Sequence, residues 1–435
     1  MENKIPEFVL TALKMLTNNN FEAYIVGGCV RDMLLGTLPV DYDITTNATP
    51  EQIKEVFSEY KTIDVGIRYG TVCVIIDGES IEITTYRIDG EYKENRHPEN
   101  VKFTANLEDD LSRRDFTVNA VAVGINGEVT DPFNGKNDVK NKIIRCVGDP
   151  EKRFGEDALR IMRAVRFASV LVFEIEENTK KAIFKLKDNL NTISAERIGS
   201  ELKKLLVGDN VKAVLLEYAE VLSVWIPEIL PCIGFDQKSV YHKYTVWEHI
   251  ARATEKADKN IRLAVMLHDI GKPPCYSYDG SAGHFPNHAK VGSEMAKKIL
   301  TRLKFDNKTI SEVSTLIREH SAPIFTKIDV KKMLSKIGVD IFFKLIDLKI
   351  ADNSAKTLDR LSETDRFLQI KSVASEVIAA GEPLFIKDLA VGGLDIAALG
   401  YKGREISQKL CEILNLVIEE KISNDKEEIL TFCRQ

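Results

Sequence analysis

Two aspartates one residue apart, Asp41 and Asp43 in LPVDYDITT, follow a diglycine turn, Gly27-Gly28, and a short basic stretch that carries Arg31. In an extended chain the side chains at i and i+2 leave the same face, so both carboxylates can hold one cation. The diglycine lets backbone approach a phosphate, and Arg31 near the start of the following helix adds positive charge beside its free N–H groups. In this order the features read as a nucleoside triphosphate held against Mg2+. Taken singly, each is also an ordinary turn or a solvated strand end. Further along, six of the seven histidines fall between residues 242 and 320: His242, His249, His268, His284, His288 and His320. His268 and Asp269 adjoin at the end of the apolar run LAVML, and imidazole with carboxylate is a donor set for a divalent transition metal.

The elements that must position these groups are legible from periodicity. Apolar spacing predicts a helix over 6–18, strands at 22–26, 41–45, 71–76 and 80–86, and helices at 30–36 and 50–58. Alternation in SIEITTY puts Glu82 and Thr84 on one strand face, which makes Glu82 a candidate third carboxylate or a surface residue. Residues 88–112 are charged and poor in apolar side chains, as expected of a mobile loop. In RRDFTVNAVAV, Arg113 and Arg114 can meet phosphate, while Asp115 and Asn119 offer polar contacts. From about residue 150 the pattern turns helical. One amphipathic helix is expected over 156–170, with Asp157 and Arg160 three apart on a face that Arg163 and Arg166 continue. That stripe is either a solvated face or a rigid edge of hydrogen-bond donors and acceptors. A further helix follows at 193–206, with Ser194 at its N-cap. A Pro-punctuated linker near 235 marks a boundary before the histidine-rich segment, and helices resume beyond 325.

At 435 residues, 44% apolar and 29% charged, the chain suits two to four soluble domains. No apolar run approaches the roughly 18 residues of a membrane span, and a cytoplasmic protein without membrane contact is expected. Seven scattered cysteines without a C-x-x-C pair predict free thiols. With a net charge of −6, any RNA must meet a local basic stripe. The lysine groups at 180–187 and 297–304 are candidates, and equally solvated helix faces.

Five blocks in order, GGCVRD with DYD, RRDFTVNA, DPFNG, EDALR and ISAERIGSEL, closely resemble the class II tRNA CCA-adding enzymes and bacterial poly(A) polymerases of the polymerase β superfamily. The resemblance implies an α+β fold: a small α/β nucleotidyltransferase head with a polymerase β-like mixed sheet, then a long all-α body. The expected divisions are 1–145 for the head, 146–235 for nucleotide selection and RNA binding, 236–360 for an HD-type helical domain, and 361–435 for a helical tail. It also implies Asp41 and Asp43 as catalytic Mg2+ ligands, and Gly28, Arg31 and Arg114 on the triphosphate. Asp157 and Arg160 would form a protein template for the Watson–Crick edge of CTP or ATP, with Arg163 and Arg166 beside them. The implied partners are ATP, CTP and the 3′ end and acceptor arm of tRNA, with no DNA. The implied reaction adds CCA to tRNA and releases pyrophosphate.

The histidine-rich segment resembles the HD phosphohydrolase superfamily, which implies His249, His268, Asp269 and the distant Asp352 around a second divalent metal. Within the first family the alternatives are CC-only, A-only and poly(A) addition: the charged, intact 88–112 segment favours full CCA addition over CC-only, whereas Asp157 and Arg160 would serve an A-adding specialist or a poly(A) polymerase too. A metal-dependent phosphohydrolase with a merely nucleotide-binding head is the alternative from another class. A non-catalytic RNA binder would have no need of two carboxylates near RNA phosphate.

Overall fold

The computed structural model describes residues 5–90, 92–93, 97–98, 101–239, 243–356 and 361–434. It divides into two compact units, Met1–Pro227 and Glu228–Gln435.

The first unit opens with helix α1 (Glu7–Asn18), whose Val9, Ala12, Leu13 and Leu16 recur at helical spacing and are buried. Strand β1 (Ala23–Val26) runs through the glycine turn straight into α2 (Gly28–Leu34), and β2 (Asp43–Thr46) returns beside β1. Helix α3 (Pro50–Val56) starts at a reciprocal Thr49–Gln52 cap with proline in its first turn. Strands β3 (Lys61–Gly66), β4 (Thr71–Ile76) and β5 (Glu79–Thr85) complete one side of a seven-stranded sheet. Its order is β11-β10-β1-β2-β5-β4-β3, where β10 is Ala122–Gly124 and β11 is Val129–Thr130. The sheet is mixed: β2 and β5 run parallel, whereas β1 pairs antiparallel with both neighbours. Along β5, Ile81 and Ile83 are buried and Glu82 is exposed, as the alternation predicts.

The segment expected to be a loop at 88–112 is instead largely regular where it is described. Strand β6 (Arg87–Asp89) pairs antiparallel with β9 (Val101–Phe103), and β7 (Tyr92–Lys93) pairs with β8 (His97–Pro98). Helix α4 (Leu107–Ser112) follows, capped by Asn106 and acidic in its first turn. A narrow hairpin needs little apolar surface when its backbone groups satisfy one another, so low hydrophobicity misled the prediction. The remainder of that expectation lies outside the described residues.

Helix α5 (Gly135–Asn141) and strand β12 (Ile143–Ile144) lead to α6 (Pro150–Glu156), capped by Asp149. Here a second expectation fails: 156–170 is not one helix. Asp157 is extended, with φ −132° and ψ 103°, and a new helix, α7 (Leu159–Leu171), begins after it. The Asp157 carboxylate accepts from the Leu159 N–H at 3.0 Å, and this local competition with the helical ladder accounts for the break. Strand β13 (Glu174–Ile175) and helices α8 (Glu177–Leu186), α9 (Ala195–Leu206), α10 (Val211–Glu217) and α11 (Ala219–Leu222) close the unit. Ser194 stands at the N-cap of α9 but makes no side-chain capping bond.

Among the described residues the regular structure of the second unit is helical apart from the small pair β14 (Ser277–Tyr278) and β15 (Gly283–His284). Its helices are α12 (Val246–Lys256), α13 (Arg262–Leu267), α14 (His288–Arg302), α15 (Asn307–Glu319), α16 (Lys327–Ile337), α17 (Val339–Ser354), α18 (Leu361–Ala379), α19 (Gly393–Ala397), α20 (Arg404–Ile418) and α21 (Lys426–Arg434). Gly271 lets the end of α13 meet the start of α14: a Cβ there would lie 2.4 Å from the His288 carbonyl oxygen and 2.6 Å from the Gly292 nitrogen. Among the described residues no helix is long and apolar enough to cross a membrane.

Candidate functional site

Gly27 sits at φ 88°, ψ −139°, a conformation that L side chains rarely adopt. It lies directly beside both charged groups, since a Cβ there would stand 3.5 Å from Arg114 Nη1 and 3.6 Å from Asp43 Oδ2, ordinary contact distances. Asp43 is the first residue of β2 and lies in register with Glu82 on the parallel neighbour β5, so the two side chains leave the same sheet face. Asp41 is exposed two residues upstream. Burial pushes the Asp43 carboxyl up to about 6; Glu82 and Asp41 add to the rise, and Arg114 opposes it. Asp41 and Glu82 lie near enough to act on the Asp43 carboxyl, and carboxylate oxygens are the donors that suit a hard divalent cation.

Behind this edge, the fully buried Asp110 organises two arginines. Its Oδ1 accepts from Arg113 Nε and Nη2 at 2.9 and 2.6 Å, and its Oδ2 accepts from Arg114 Nη2 and Thr45 Oγ1, both at 3.1 Å. The Arg114 Nε is buried with no hydrogen-bond partner among the described residues.

A second chain of bonds starts at Arg31, whose Nη1 donates to Asn119 Oδ1 at 2.8 Å. Asn119 Nδ2 donates to Asp115 Oδ1 at 3.0 Å, and Arg163 reaches Asp115 Oδ2 through Nε at 2.8 Å and Nη2 at 2.6 Å. Burial alone would raise Asp115, but Arg163 and Asn119 outweigh it and hold the carboxyl down at about 2. Arg166 donates to Glu201 of α9 at 2.6 Å. Arg31, Arg163 and Arg166 all lie over one ring, that of Phe167, at 5.2, 5.4 and 3.9 Å from its centroid. Phe116 meets the same ring edge-on at 5.8 Å.

The break after α6 separates the residues expected to share a helix face. Arg160 donates to Glu156 Oε2 at 3.0 Å and to the Arg113 carbonyl at 2.8 Å, whereas Asp157 Oδ2 accepts from Arg197 at 3.3 Å. Asp157 and Arg160 thus stay adjacent without pairing. Glu156, Arg197, Glu201 and Phe167 were not singled out from the sequence. Glu156 had a local signal, standing three and four residues from Arg153 and Arg160. Glu201 and Arg197 approach α7 only in the folded chain.

In the second unit, four residues spread over three segments converge. The ligand atoms of His249, His268, Asp269 and Asp352 all lie within 4.8 Å of one another. His249 Nε2 is 2.9 Å from Asp352 Oδ1, and His268 Nε2 is 3.2 Å from Asp269 Oδ2. The Nδ1 atoms of His268, His288 and His320 each face a backbone carbonyl at 2.6 to 2.8 Å, which turns all three Nε2 atoms inward. Burial would lower the His268 imidazole, but the carboxylates of Asp269 and Asp352 overcome it and raise it. Both carboxyls lie well below their usual range: burial would raise them, but neighbouring imidazoles and ammonium groups prevail. His288 and His320 join Asp269 in a second group, facing its other oxygen at 3.7 and 3.6 Å. His284 stands apart, exposed and bonded to Asp279, and His242 lies outside the described residues. These are the groups of metal-ligating type that come this close among the described residues; the head carboxylates do not form one.

Comparison with known proteins matches three stretches of the chain. Residues 23–145 match the family model of the poly(A) polymerase head domain, 172–232 the probable RNA and SrmB-binding site of polymerase A, and 240–362 the HD domain. Among solved structures, the Bacillus stearothermophilus CCA-adding enzyme in complex with CTP is 29% identical, with a TM-score of 0.74 over 98% of this chain and 96% of that one. The Thermotoga maritima CCA-adding enzyme complexed with tRNA is 21% identical at a TM-score of 0.62 over 99% and 96%, a likeness of fold. The CCA-adding enzyme of Lactobacillus helveticus is 53% identical over 209 residues, 47% of this chain and 52% of that one. That of Leuconostoc mesenteroides is 43% identical over 272 residues, 60% of this chain and 67% of that one. The chain belongs to the family of CCA-adding enzymes and poly(A) polymerases. The matches to the first curated members of this family span about half of their length. Within the family frame, the Asp43 edge and the Arg114 cluster lie in the stretch matched as the head, whereas α7 falls between two matched stretches.

Proposed function

We propose that the chain adds CCA to the 3′ end of tRNA from CTP and ATP, without a nucleic-acid template, and releases pyrophosphate. The observation that carries this reading is the edge where Asp43 stands beside Gly27 and Arg114, in register with Glu82 and under the charge of Asp41. Asp41 and Asp43 would hold Mg2+, which when bound lowers the barrier to attack of a hydroxyl on the α-phosphate by neutralising charge. Arg114, fixed by Asp110, and Arg31, fixed by Asn119, present donors to the triphosphate, and the Gly27-Gly28 backbone admits it closely. Asp157 and Arg160 would read the base edge: a bound nucleotide exchanges the long Arg197 contact of Asp157 for its own hydrogen bonds. Arg163 and Arg166, held by Asp115 and Glu201, form the wall beside them. A tRNA substrate places the chain in the cytoplasm.

The lysines of α8 and of the turn after it are partly neutralised, since Lys180, Lys181, Lys185 and Lys187 each pair with a glutamate. The test is incorporation of labelled CTP and ATP, separately and together, into tRNA transcripts ending before CCA, after C and after CC. Two C additions followed by one A establish the full reading. Addition of A to the CC-ended transcript alone makes the chain an A-adding enzyme. A long A tract makes it a poly(A) polymerase.

The convergence of His249, His268, Asp269 and Asp352 favours a second reading for the other unit, a site for a divalent transition metal and phosphoester chemistry. Phosphatase activity lost in His268→Ala but retained in Asp41→Ala supports it. Its absence under all divalent metals removes it.

A further inference from the structure

The sheet face that carries Asp43 and Glu82 continues beyond them. Asp43, Glu82 and Cys73 stand in register on β2, β5 and β4, and Ile63 of β3 lies opposite Cys73, so all four leave one face. The other face is core, built from Val72, Val74, Ile81 and Ile83. On the first face Glu82 and Ile63 are exposed. The next row is Thr45, Thr84 and Thr71: the Thr71 and Thr84 hydroxyls are 3.0 Å apart, and Thr45 Oγ1 donates to the Thr84 carbonyl at 3.3 Å. This row runs into the tight turn Ile67–Tyr69 and Gly70, whose carbonyl accepts from the Thr85 N–H at 2.9 Å. Gly70 sits at φ 84°, and a Cβ there would lie 2.8 Å from Cε1 of Phe103, so glycine lets that ring lie on the turn. Arg87, paired with Phe103 across β6 and β9, donates to the Tyr69 carbonyl and stands 5.8 Å from the centroid of the Tyr69 ring. Both rings reach solvent, Tyr69 at 37% exposure and Phe103 at 39%. Arg68, on the same turn, is exposed and forms no ion pair among the described residues. Two residues along β5 span about 7 Å and one strand across about 5 Å, so the turn begins on the order of 10 Å from Glu82. Exposed rings beside arginines suit unpaired nucleic acid, because every base has a stacking face and a guanidinium meets phosphate.

We propose that this open face holds the 3′ end of the acceptor RNA, with a base stacked on Tyr69 and Phe103 and Arg68 meeting a phosphate. The inference rests on the nucleotidyl-transfer reading and adds where the RNA lies in the head. The base of the incoming nucleotide is assigned to Asp157 and Arg160, so the rings of the turn meet the base of the acceptor. Its last base changes with every addition, and stacking tolerates that change where base-specific hydrogen bonds would not.

The test is the KM of the full chain for tRNA transcripts ending before CCA, after C and after CC, together with the KM for CTP. Anisotropy of the same RNAs, labelled at the 5′ end, measures binding without turnover. Tyr69→Ala raises the KM and the Kd for all three RNAs by roughly tenfold, the scale of one lost stacked base, and leaves the KM for CTP unchanged. Tyr69→Phe keeps the ring and restores the parental values. Arg68→Ala, at an exposed position that does not endanger folding, weakens RNA by roughly threefold at low salt and by less at high salt, as a lost phosphate contact predicts. RNA binding indifferent to both alanine variants, or an equal rise in the KM for CTP, overturns the assignment. If the parent transfers no nucleotide, the nucleotidyl-transfer reading fails, and the anisotropy still decides the face: an RNA Kd raised by Tyr69→Ala supports it, and an unchanged one overturns it.

Discussion

Asp115 shows how a residue away from the Asp43 edge sets the geometry of several others. It accepts from Asn119, Arg163 and the Phe116 N–H, and through Asn119 it positions Arg31. Because its folded pKa is depressed below the unfolded value, its stabilisation is present above the ordinary aspartate range and fades as pH falls through the folded value. With the carboxyl at about 2, that contribution is about 2 kcal/mol at neutral pH. Asp115→Asn therefore lowers the melting temperature at pH 7, and the gap from the parent narrows between pH 4 and pH 2. A gap independent of pH contradicts this account. Phe167 packs against Arg31 and Arg163, and against Arg166 as well. Removing its ring in Phe167→Leu releases three guanidinium groups, each worth about 1 kcal/mol over an aromatic face. The expected result is a fall of roughly tenfold in kcat/KM for CTP, with weaker discrimination against UTP and rescue by Phe167→Tyr. Equal losses for CTP and UTP would leave Phe167 a packing residue only.

At the scale of elements, the junctions carry the chemistry. Gly271 is the contact at which α13 delivers His268 and Asp269 against the start of α14. A methyl group there has no space, so Gly271→Ala displaces α14 and destabilises the second unit by roughly 1–3 kcal/mol, as overpacking does. Melting of the metal-loaded chain, with metal content measured in parallel, shows both falling; an unchanged metal content contradicts the contact. Most of these elements were legible because their signals are local: alternation for β5, helical spacing for α1, a Thr-Pro cap for α3. The break at Asp157 was not, since an apolar stripe runs on across it and only a side-chain to backbone bond interrupts the ladder. The β6–β9 hairpin was missed for the opposite reason: its backbone pairing needs no apolar pattern.

Across the whole molecule, the sequence singles out the candidate residues but not the partners they meet in the fold. Asp41, Asp43 and Arg114 follow from spacing and family blocks, and Glu82 from strand alternation. That Glu82 lies in register with Asp43 depends on the order of strands, which no local signal encodes. Likewise Asp352 meets His249 across 103 residues of chain, a proximity only folding creates. The net charge of −6 left the RNA-facing surface open, and the glutamate partners of the 180–187 lysines arise only in the folded chain.

The most direct measurement is single-turnover incorporation of CMP into a tRNA transcript lacking CCA, for the parent chain and for Asp41→Ala at saturating Mg2+. Loss of a carboxylate that holds transition-state charge predicts a rate lower by roughly three orders of magnitude, with the fold intact by circular dichroism. An Asp41→Ala chain that incorporates CMP at the parental rate contradicts the assignment of the head as the catalytic site.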